Sequence, residues 1–187
     1  LVDDDAVGGM VLQARYCDLL VIGQTDPHST VPGIYPNFPE QVVLNCIRPV
    51  LIIPYATTFI KLFSRPLIAW DGSPAATRAI TAALPLLTHA QKVDLVVFNA
   101  NDEKLVHGAE PGADIALYLS RHGVKVQVVN HTVKTDIGQA LLSLVTDQGN
   151  DLIVMGGYGH SRFRETLMGG VTKTLFTSMI VPVLTTH

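Results

Sequence analysis

Apolar positions along the chain form short continuous runs, separated by stretches in which apolar residues recur at helical spacing. In residues 65–187 the runs predict five strands, at 66–70, 92–99, 124–130, 151–156 and 181–185. The stretches between them predict four helices, at 74–89, 113–122, 136–148 and 163–178. Alternating strands and helices indicate a parallel sheet covered on both faces. Right-handed crossovers favour a flavodoxin-like, Rossmann-like doubly wound α/β fold with strand order 3-2-1-4-5.

Capping residues mark the ends of these helices. Ser73 and Pro74 predict an N-cap followed by a first-turn proline. Thr135 is the predicted cap of the third helix, which Gly149 would end, and Gly123 would end the second.

Part of this pattern occurs twice. The run Asp18-Leu19-Leu20-Val21-Ile22-Gly23 is nearly repeated by Asp151-Leu152-Ile153-Val154-Met155-Gly156. The apolar run after Pro49 corresponds in the same way to the run around Pro182, and the intervals from Asp18 to Pro49 and from Asp151 to Pro182 are equal. Matched runs at matched spacing predict an internal duplication.

The duplication predicts two domains, the C-terminal part of a first one at residues 1–58 and a complete second one at 65–187. The first would have a helix near 5–14, a strand from Asp18, a helix near 39–46 and a strand from Pro49. Three strands of a full copy are missing, which a longer, cleaved gene product would explain. A half sheet has an open edge, which we expect to pair with the second copy or with another chain.

Composition narrows the class of protein. Hydrophobic residues make up 48% of the chain and charged residues 16%, which predicts a substantial buried core. A net charge of −3 and scattered Lys and Arg argue against a nucleic-acid surface. Cys17 and Cys46 are interpreted as reduced core thiols of a cytoplasmic protein. No apolar run has the length of a membrane span, and no signal-peptide pattern is present.

Glycines follow the predicted strand at 151–156. The segment reads Met155-Gly156-Gly157-Tyr158-Gly159-His160-Ser161-Arg162, and Gly169-Gly170-Val171-Thr172 comes further on. Glycine turns leave backbone N–H groups accessible, and a following helix start favours negative charge. Strand, glycine turn and helix therefore predict a phosphate site, at which His160 and Arg162 would help to neutralise charge.

In the predicted topology, strand order reverses between the strands at 66–70 and 151–156, which is where doubly wound sheets bind ligands. The first of these strands ends at Trp70-Asp71-Gly72-Ser73. Asp71 would accept a hydrogen bond from a ribose or base, or else from backbone N–H groups at the helix start. Both interpretations stay open at this point.

Other catalytic templates do not fit. The chain has no P-loop, no third glycine of a dinucleotide fingerprint and no Gly-x-Ser-x-Gly elbow. A metal site built from His107, His122 and His131 is disfavoured, because these residues read as loop and helix-end positions. We predict no metal ligands and no catalytic residues.

Gly156-x2-Gly159-x9-Gly169, after a strand and before a helix, resembles the nucleotide signature of the universal stress protein family, and Asp71-Gly72-Ser73 also resembles it. The chain is similar to the tandem members, which hold two such domains in one polypeptide. The resemblance implies a site for ATP or AMP, with Mg²⁺ as a companion, in which Asp71 meets the ribose or adenine. It also implies that adenine touches Val97 and Phe98, next to Trp70. The ribose and phosphates would be lined by Met155, Gly156, Gly159, Gly169, Gly170 and Val171.

Two departures from the family pattern bear on binding. ATP binders of the family usually carry Ser or Thr where this chain has Gly170, so a phosphate-facing hydroxyl is lost. In the first copy, Gly23-Gln24-Thr25-Asp26-Pro27 replaces the glycine loop. Asp26 would repel phosphate and Pro27 lacks an N–H, so the first copy is predicted not to bind nucleotide.

The resemblance also implies that the fifth strands of two domains pair antiparallel. Residues 49–54 and 181–185 would then pair within this chain, and a homodimer is further expected.

Three functions compete. The leading hypothesis is a cytoplasmic stress-response protein that binds an adenine nucleotide in its second domain and is not an enzyme, with slow ATP hydrolysis as the most it could catalyse. The alternative is a nucleotide-free dimerisation and interaction module of the same fold. An adenine nucleotide α-hydrolase is disfavoured, because those enzymes carry Ser-Gly-Gly-x-Asp-Ser where this chain reads Asp71-Gly72-Ser73-Pro74.

Overall fold

A computed structural model describes residues 5–28, 37–56, 63–100, 110–158 and 170–187. These ranges contain six helices and seven strands. The helices are α1 (Ala6–Ala14), α2 (Phe38–Asn45), α3 (Pro74–Leu87), α4 (Ala113–Arg121), α5 (Ile137–Gln148) and α6 (Gly170–Ser178). The strands are β1 (Leu20–Gly23), β2 (Val50–Ile53), β3 (Pro66–Ala69), β4 (Val93–Phe98), β5 (Val126–His131), β6 (Leu152–Gly156) and β7 (Val183–Thr186).

The strands form one sheet in the order β1-β2-β7-β6-β3-β4-β5. From β5 to β7, the five strands of the predicted complete domain lie in the order 3-2-1-4-5, as predicted, and are parallel to their neighbours. The doubly wound α/β fold is therefore confirmed, and β1 and β2 extend the sheet beyond β7. Strand order reverses at β3, because β4 lies on one side of it and β6 on the other.

Strands β2 and β7 pair antiparallel, which is the pairing within the chain that the family resemblance implies. Leu51 lies opposite Leu184, with Val50 opposite Thr185 and Ile52 opposite Val183. This pairing covers the edge of β7, which would otherwise present unpaired backbone groups.

The pairing of β1 with β2 reproduces that of β6 with β7. Leu20 pairs with Val50 as Ile153 pairs with Val183, and the correspondence continues along both strands. It extends past the strands, where Gln24 N donates to Ile53 O and Gly157 N donates to Thr186 O. Gln24 and Gly157 therefore occupy equivalent positions.

Helices cover both faces of the sheet. On one face, α3 and α4 pack on residues such as Ile68, Leu95 and Val154. On the other, α1, α2, α5 and α6 pack on residues such as Val96 and Ile153. Strands buried on both faces explain the continuous apolar runs in the sequence.

The helix boundaries agree with the predictions to within about two residues where both can be compared, but the cap of α5 differs. Asp136, and not Thr135, caps α5, since its carboxylate accepts a hydrogen bond from Gln139 N at 2.9 Å. A carboxylate at this position also interacts favourably with the helix dipole. The predicted helix at 163–178 is seen from Gly170, and its earlier residues lie outside the described ranges.

A buried carboxylate ties together the amino-terminal edge of the sheet. Asp94 accepts hydrogen bonds from Arg65 Nε and from the Asn150 amide, both at 3.0 Å, and lies 3.0 Å from Lys92 Nζ. Burial alone would raise the pKa of Asp94, but these three partners together hold it below its ordinary value.

Candidate functional site

The carboxyl ends of β3 and β6 lie side by side where the strand order reverses. Ala69 is paired with Met155, so the turn that begins at Trp70 starts beside Gly156. The two sequence segments predicted to form the site are therefore brought together. Doubly wound sheets bind their ligands at this place.

The turn after β3 is held by hydrogen bonds of its own. Asp71 Oδ1 accepts from Ser73 N at 2.9 Å, and Ser73 Oγ accepts from Ala76 N at 3.0 Å. Gly72 has a positive φ of 72°, a conformation that favours glycine. The local role considered for Asp71 is thus present, and Ser73 caps α3 as predicted.

Gly156 lets the start of α3 approach β6. A Cβ on this residue would lie 2.5 Å from Ala76 N and 2.9 Å from Ala75 C. Thr186 Oγ1 donates to Ala75 O at 2.8 Å and fixes the same helix turn from β7. The space beside Gly156 is therefore filled by the backbone of α3. This close packing is enough to require glycine at position 156, with or without a bound ligand.

Gly157 is also closely packed, on the side of the neighbouring strand. Its N–H is used in the bond to Thr186 O, and a Cβ would lie 2.9 Å from Thr185 Oγ1. The next residue, Tyr158, has a positive φ of 56°, and its half-buried ring lies 6.4 Å from the His187 ring. Burial and the charge of Glu40 raise the pKa of the Tyr158 hydroxyl above its ordinary value.

An apolar floor lies at this end of the sheet, on the face covered by α5 and α6. We use this name for Ala69, Phe98, Met155 and Val171, which all belong to the core cluster of that face. The Phe98 ring has its centroid 6.0 Å from that of His131, at the end of β5. Sequence reasoning did not select His131 for this site, since its nearness to Phe98 depends on the β4–β5 register.

Trp70 and Val97 lie on the opposite face of the sheet. Both side chains belong to the core cluster beneath α3 and α4. Val97 is fully buried, and a Cβ on Gly112 would lie 3.1 Å from its Cγ2. Of the pair expected at adenine, only Phe98 has its side chain on the same face as the apolar floor.

The start of α6 places Gly170 near a negative charge. Gly170 is exposed, and a Cβ there would lie 4.0 Å from Asp136 Oδ2. Helices α5 and α6 come this close because Gly138 packs against Thr174, with 2.8 Å from its would-be Cβ to Thr174 Cβ. Asp136 therefore opposes the favourable effect that a helix N-terminus has on an anion.

Four predicted site residues, Gly159, His160, Arg162 and Gly169, lie outside the described residues. No group of three or more His, Cys, Asp or Glu side chains forms a metal site in the ranges described. None of the helices in those ranges has the length and apolar character needed to cross a membrane.

We call residues 5–56 the first half and 63–187 the second half, since β1–β2 and β6–β7 pair in the same register. In the first half, the position equivalent to Gly157 holds a buried glutamine. Gln24 Nε2 donates to the carbonyls of Phe176 and Thr177, both at 3.0 Å, at the end of α6. Its Oε1 accepts from Tyr55 N at 3.3 Å. The Gln24 side chain thus joins the first half to α6, at the position that a glycine occupies in the second half.

Comparisons with known proteins agree with this architecture. The sequence model of the Universal stress protein family matches residues 63–187. A universal stress protein of Synechocystis is 25% identical over 151 residues, which cover 78% of this chain and 49% of that protein. The chain therefore spans about half the length of this curated relative.

Solved structures show the same fold over nearly the whole chain. A universal stress protein from Archaeoglobus fulgidus matches with a TM-score of 0.68 and 19% identity, covering 95% of this chain and 63% of that one. A functionally unknown protein from Pseudomonas aeruginosa matches with a TM-score of 0.62 and 13% identity, covering 97% and 67%. Since the family model matches well over half of the sequence, the chain belongs to the universal stress protein family.

Proposed function

We propose that this chain is part of a cytoplasmic stress-response protein that binds an adenine nucleotide, ATP or AMP, between β3 and β6. The observation that carries the proposal is the apolar floor beside Asp71, at the point where strand order reverses. An apolar surface with a few polar groups at its rim is the usual form of a small-molecule site.

Each part of the nucleotide has a counterpart in this arrangement. Adenine and ribose would lie over Phe98, Met155 and Val171, and Asp71 would accept a hydrogen bond from the ribose or base. Phosphates would meet the glycine turn and the start of α6, through Gly159, Gly169 and Gly170, with His160 and Arg162 as countercharges. A Mg²⁺ ion bound with the phosphates would reduce the repulsion from Asp136.

Binding, and not catalysis, is the proposed activity. The two segments 1–58 and 65–187 would be tandem copies of one domain, of which only the second binds nucleotide. Asp26 and Pro27 in the first copy support this assignment, because a carboxylate repels phosphate and proline lacks an N–H. The intact protein would act as a homodimer.

Two features at the start of α6 favour a second function, a nucleotide-free interaction module. Gly170 lacks a hydroxyl, and the Asp136 carboxylate lies close to it. Both features weaken phosphate binding at the start of α6, the first by removing a donor and the second by repulsion.

Isothermal titration of ATP, ADP, AMP and adenosine, with and without Mg²⁺, tests the proposal. We expect micromolar binding of at least one nucleotide to the unmodified chain. The Phe98→Ala variant should bind all four ligands several-fold more weakly, since it removes apolar contact with the base. Leu117→Ala, at a half-exposed leucine on α4, is the matched control and should bind normally.

Absence of heat at millimolar ligand, from protein shown to be folded by circular dichroism, would reject nucleotide binding and leave the interaction module. Equal loss of binding in Phe98→Ala and Leu117→Ala would place the ligand elsewhere on the molecule.

A further inference from the structure

Strand β5 is the last strand on one side of the sheet, and in the described ranges it pairs with β4 alone. Lys125 O accepts a hydrogen bond from Val93 N, and His131 O accepts one from Asn99 N, each at 2.8 Å. In a parallel ladder, alternate residues of a strand turn their backbone groups to the same side. The backbone groups at positions 125, 127, 129 and 131 therefore face β4.

The open side of β5 presents the backbone N–H and C=O groups of the residues in between, Val126, Val128 and Asn130. No strand of the described part of the chain pairs with these groups. Val126 and Val128 are only partly buried against the core cluster beneath α3 and α4, and Val129 is partly buried on the other face. An added strand would bond to the free backbone groups and would bury more of these β-branched side chains.

Three basic residues form a row across the amino-terminal ends of β3, β4 and β5. The strand registers place Arg65, Lys92 and Lys125 side by side. Asp94 on β4 and Gln127 on β5 share the level two positions further along. Neighbouring strands lie about 4.8 Å apart, so a carboxylate on one strand can reach the basic residues of its own strand and of the next one.

Only two members of this row have a carboxylate as partner. Asp94 lies 3.0 Å from Arg65 Nε on the neighbouring strand and 3.0 Å from Lys92 Nζ on its own strand. Lys125 has the neutral Gln127 where Lys92 has Asp94. The Lys125 side chain is exposed, and it makes no ion pair with a residue that the structure describes. The row therefore ends, at the open side of the sheet, in a cation without a carboxylate.

We infer that the open side of β5 is a docking surface for an extended acidic segment of a partner protein, which adds to the sheet as a strand parallel to β5. The β5 edge, as we name this surface, consists of Lys125, Val126, Val128 and Asn130. The segment would carry Asp or Glu level with Gln127, and this carboxylate would meet Lys125 as Asp94 meets Arg65. Arg121, which is exposed at the end of α4, adds positive charge before the start of β5.

Charge favours a foreign acidic segment over a second copy of this chain. Strand β5 itself contains no Asp or Glu, so pairing with β5 of a second copy would bring no carboxylate of that strand to Lys125. An antiparallel pair centred on Val128 would instead place Lys125 opposite His131 of the second copy. A parallel pair in register would place the two Lys125 side chains next to each other, and like charges at such a position destabilise pairing.

The probe is the fluorescent peptide acetyl-Thr-Val-Asp-Val-Thr-Val-Thr-amide, which is titrated with the full chain and followed by anisotropy. Its valines would lie on the face covered by α4, and its aspartate would lie level with Gln127. We expect saturable binding, about twofold to fivefold tighter than that of the same peptide with Asn in place of Asp. The preference for Asp should disappear in the Lys125→Met variant, which keeps the length of the side chain and removes its charge.

The matched control is Lys134→Met, at an exposed lysine beyond the carboxyl end of β5, and this variant should keep the preference for Asp. Thermal unfolding of both variants should match that of the unmodified chain, because both lysines are exposed. A preference for Asp that survives in Lys125→Met would overturn the proposal. A preference lost only in Lys134→Met would also overturn it, since the aspartate would then bind at the other end of the strand.

Two N-methylated forms of the peptide test whether it binds as a strand. Methylation of the threonine N–H groups should abolish binding, because the threonines would face the open groups of β5. Methylation of the valine N–H groups, which would point away from β5, should leave binding in place. Equal effects of the two modifications would reject strand addition, and absence of binding at millimolar peptide to folded protein would reject the β5 edge. A dimer of the chain that the peptide dissociates would make a second copy the occupant and overturn the assignment to a foreign segment.

Discussion

At the scale of single residues, the contribution of a glycine at a strand end to stability depends on which atoms lie beside it. Gly156 and Gly23 occupy equivalent positions, yet α3 fills the space next to the first and nothing described fills the space next to the second. Replacing glycine should therefore change the free energy of unfolding differently at the two positions.

Gly156→Ala should lower the free energy of unfolding by about 1–3 kcal/mol, because its Cβ would meet backbone of α3. Gly23→Ala, the matched control, should change it by less than about 0.5 kcal/mol. Urea unfolding followed by circular dichroism measures both. Similar losses in the two variants would show that the helix can withdraw from Gly156 at little cost.

Asp136 is expected to limit nucleotide affinity. Asp136→Asn keeps a good capping residue on α5 but removes the negative charge near Gly170. In EDTA at low salt, ATP and AMP should bind about twofold to fivefold more tightly, while adenosine binding stays the same. Isothermal titration of the three ligands checks this, and a parallel gain for adenosine would indicate a change of shape, with no role for charge.

At the scale of helices and strands, the periodicity of apolar residues was sufficient to predict the order of elements. Burial on both faces made each strand a continuous run, and turn residues such as Ser73 and Gly123 marked where the helices begin and end. A continuous apolar run contains no alternation of polar and apolar residues, so it does not show which face of the sheet a given side chain occupies. Val97 and Phe98 are neighbours in β4 and therefore point to opposite faces, but only the packing of helices on the sheet shows that Phe98 is the one on the face of the site.

Other features of the site depend on contacts that no local pattern contains. The capping residue of α5 was predicted one position too early because Thr135 and Asp136 are both good caps. The role of Gln24 depends on carbonyls more than 150 residues further along the chain, at Phe176 and Thr177. The nearness of Asp136 to Gly170 requires the packing of α5 on α6.

Because Asp94 is paired at the amino-terminal edge of the sheet, we expect the free energy of unfolding to depend on pH in the acid range. Since the folded state lowers the pKa of Asp94, its stabilising effect is complete above the ordinary value of 3.8 and is lost as pH falls through the lower folded value. Asp94→Asn should cost about 1–3 kcal/mol at neutral pH, because Arg65 and Lys92 lose their charged partner.

This difference between wild type and variant should shrink as the solution is acidified from about pH 4 to about pH 2. Urea unfolding of both proteins at each pH gives the comparison. A constant difference across this range would mean that charge on Asp94 does not stabilise the folded state.

At the scale of the whole molecule, β2 and β7 join the two halves of the sheet and are related by an approximate local two-fold axis. Leu51 and Leu184 are equivalent residues of the two halves and lie opposite each other, so the strands pair symmetrically. Removing the first half would expose a β7 edge that is already complementary to a copy of itself.

The fragment 63–187 should therefore self-associate more strongly than the intact chain at the same concentration. Analytical ultracentrifugation of the two proteins, both checked for native-like circular dichroism, measures this. A fragment that stays monomeric at high concentration while remaining folded would show that β2 is not required to cover β7.

Helix α6 runs from the candidate site to a contact with the first half of the chain. It begins at Gly170, beside the candidate site, and its last carbonyls are bound by Gln24 of the first half. The carbonyls that Gln24 binds lie about two helical turns from Gly170, so the two hydrogen bonds fix the position of α6 along its axis. If the site binds nucleotide as proposed, any shift of α6 that accompanies binding would stretch or relax the two hydrogen bonds from Gln24.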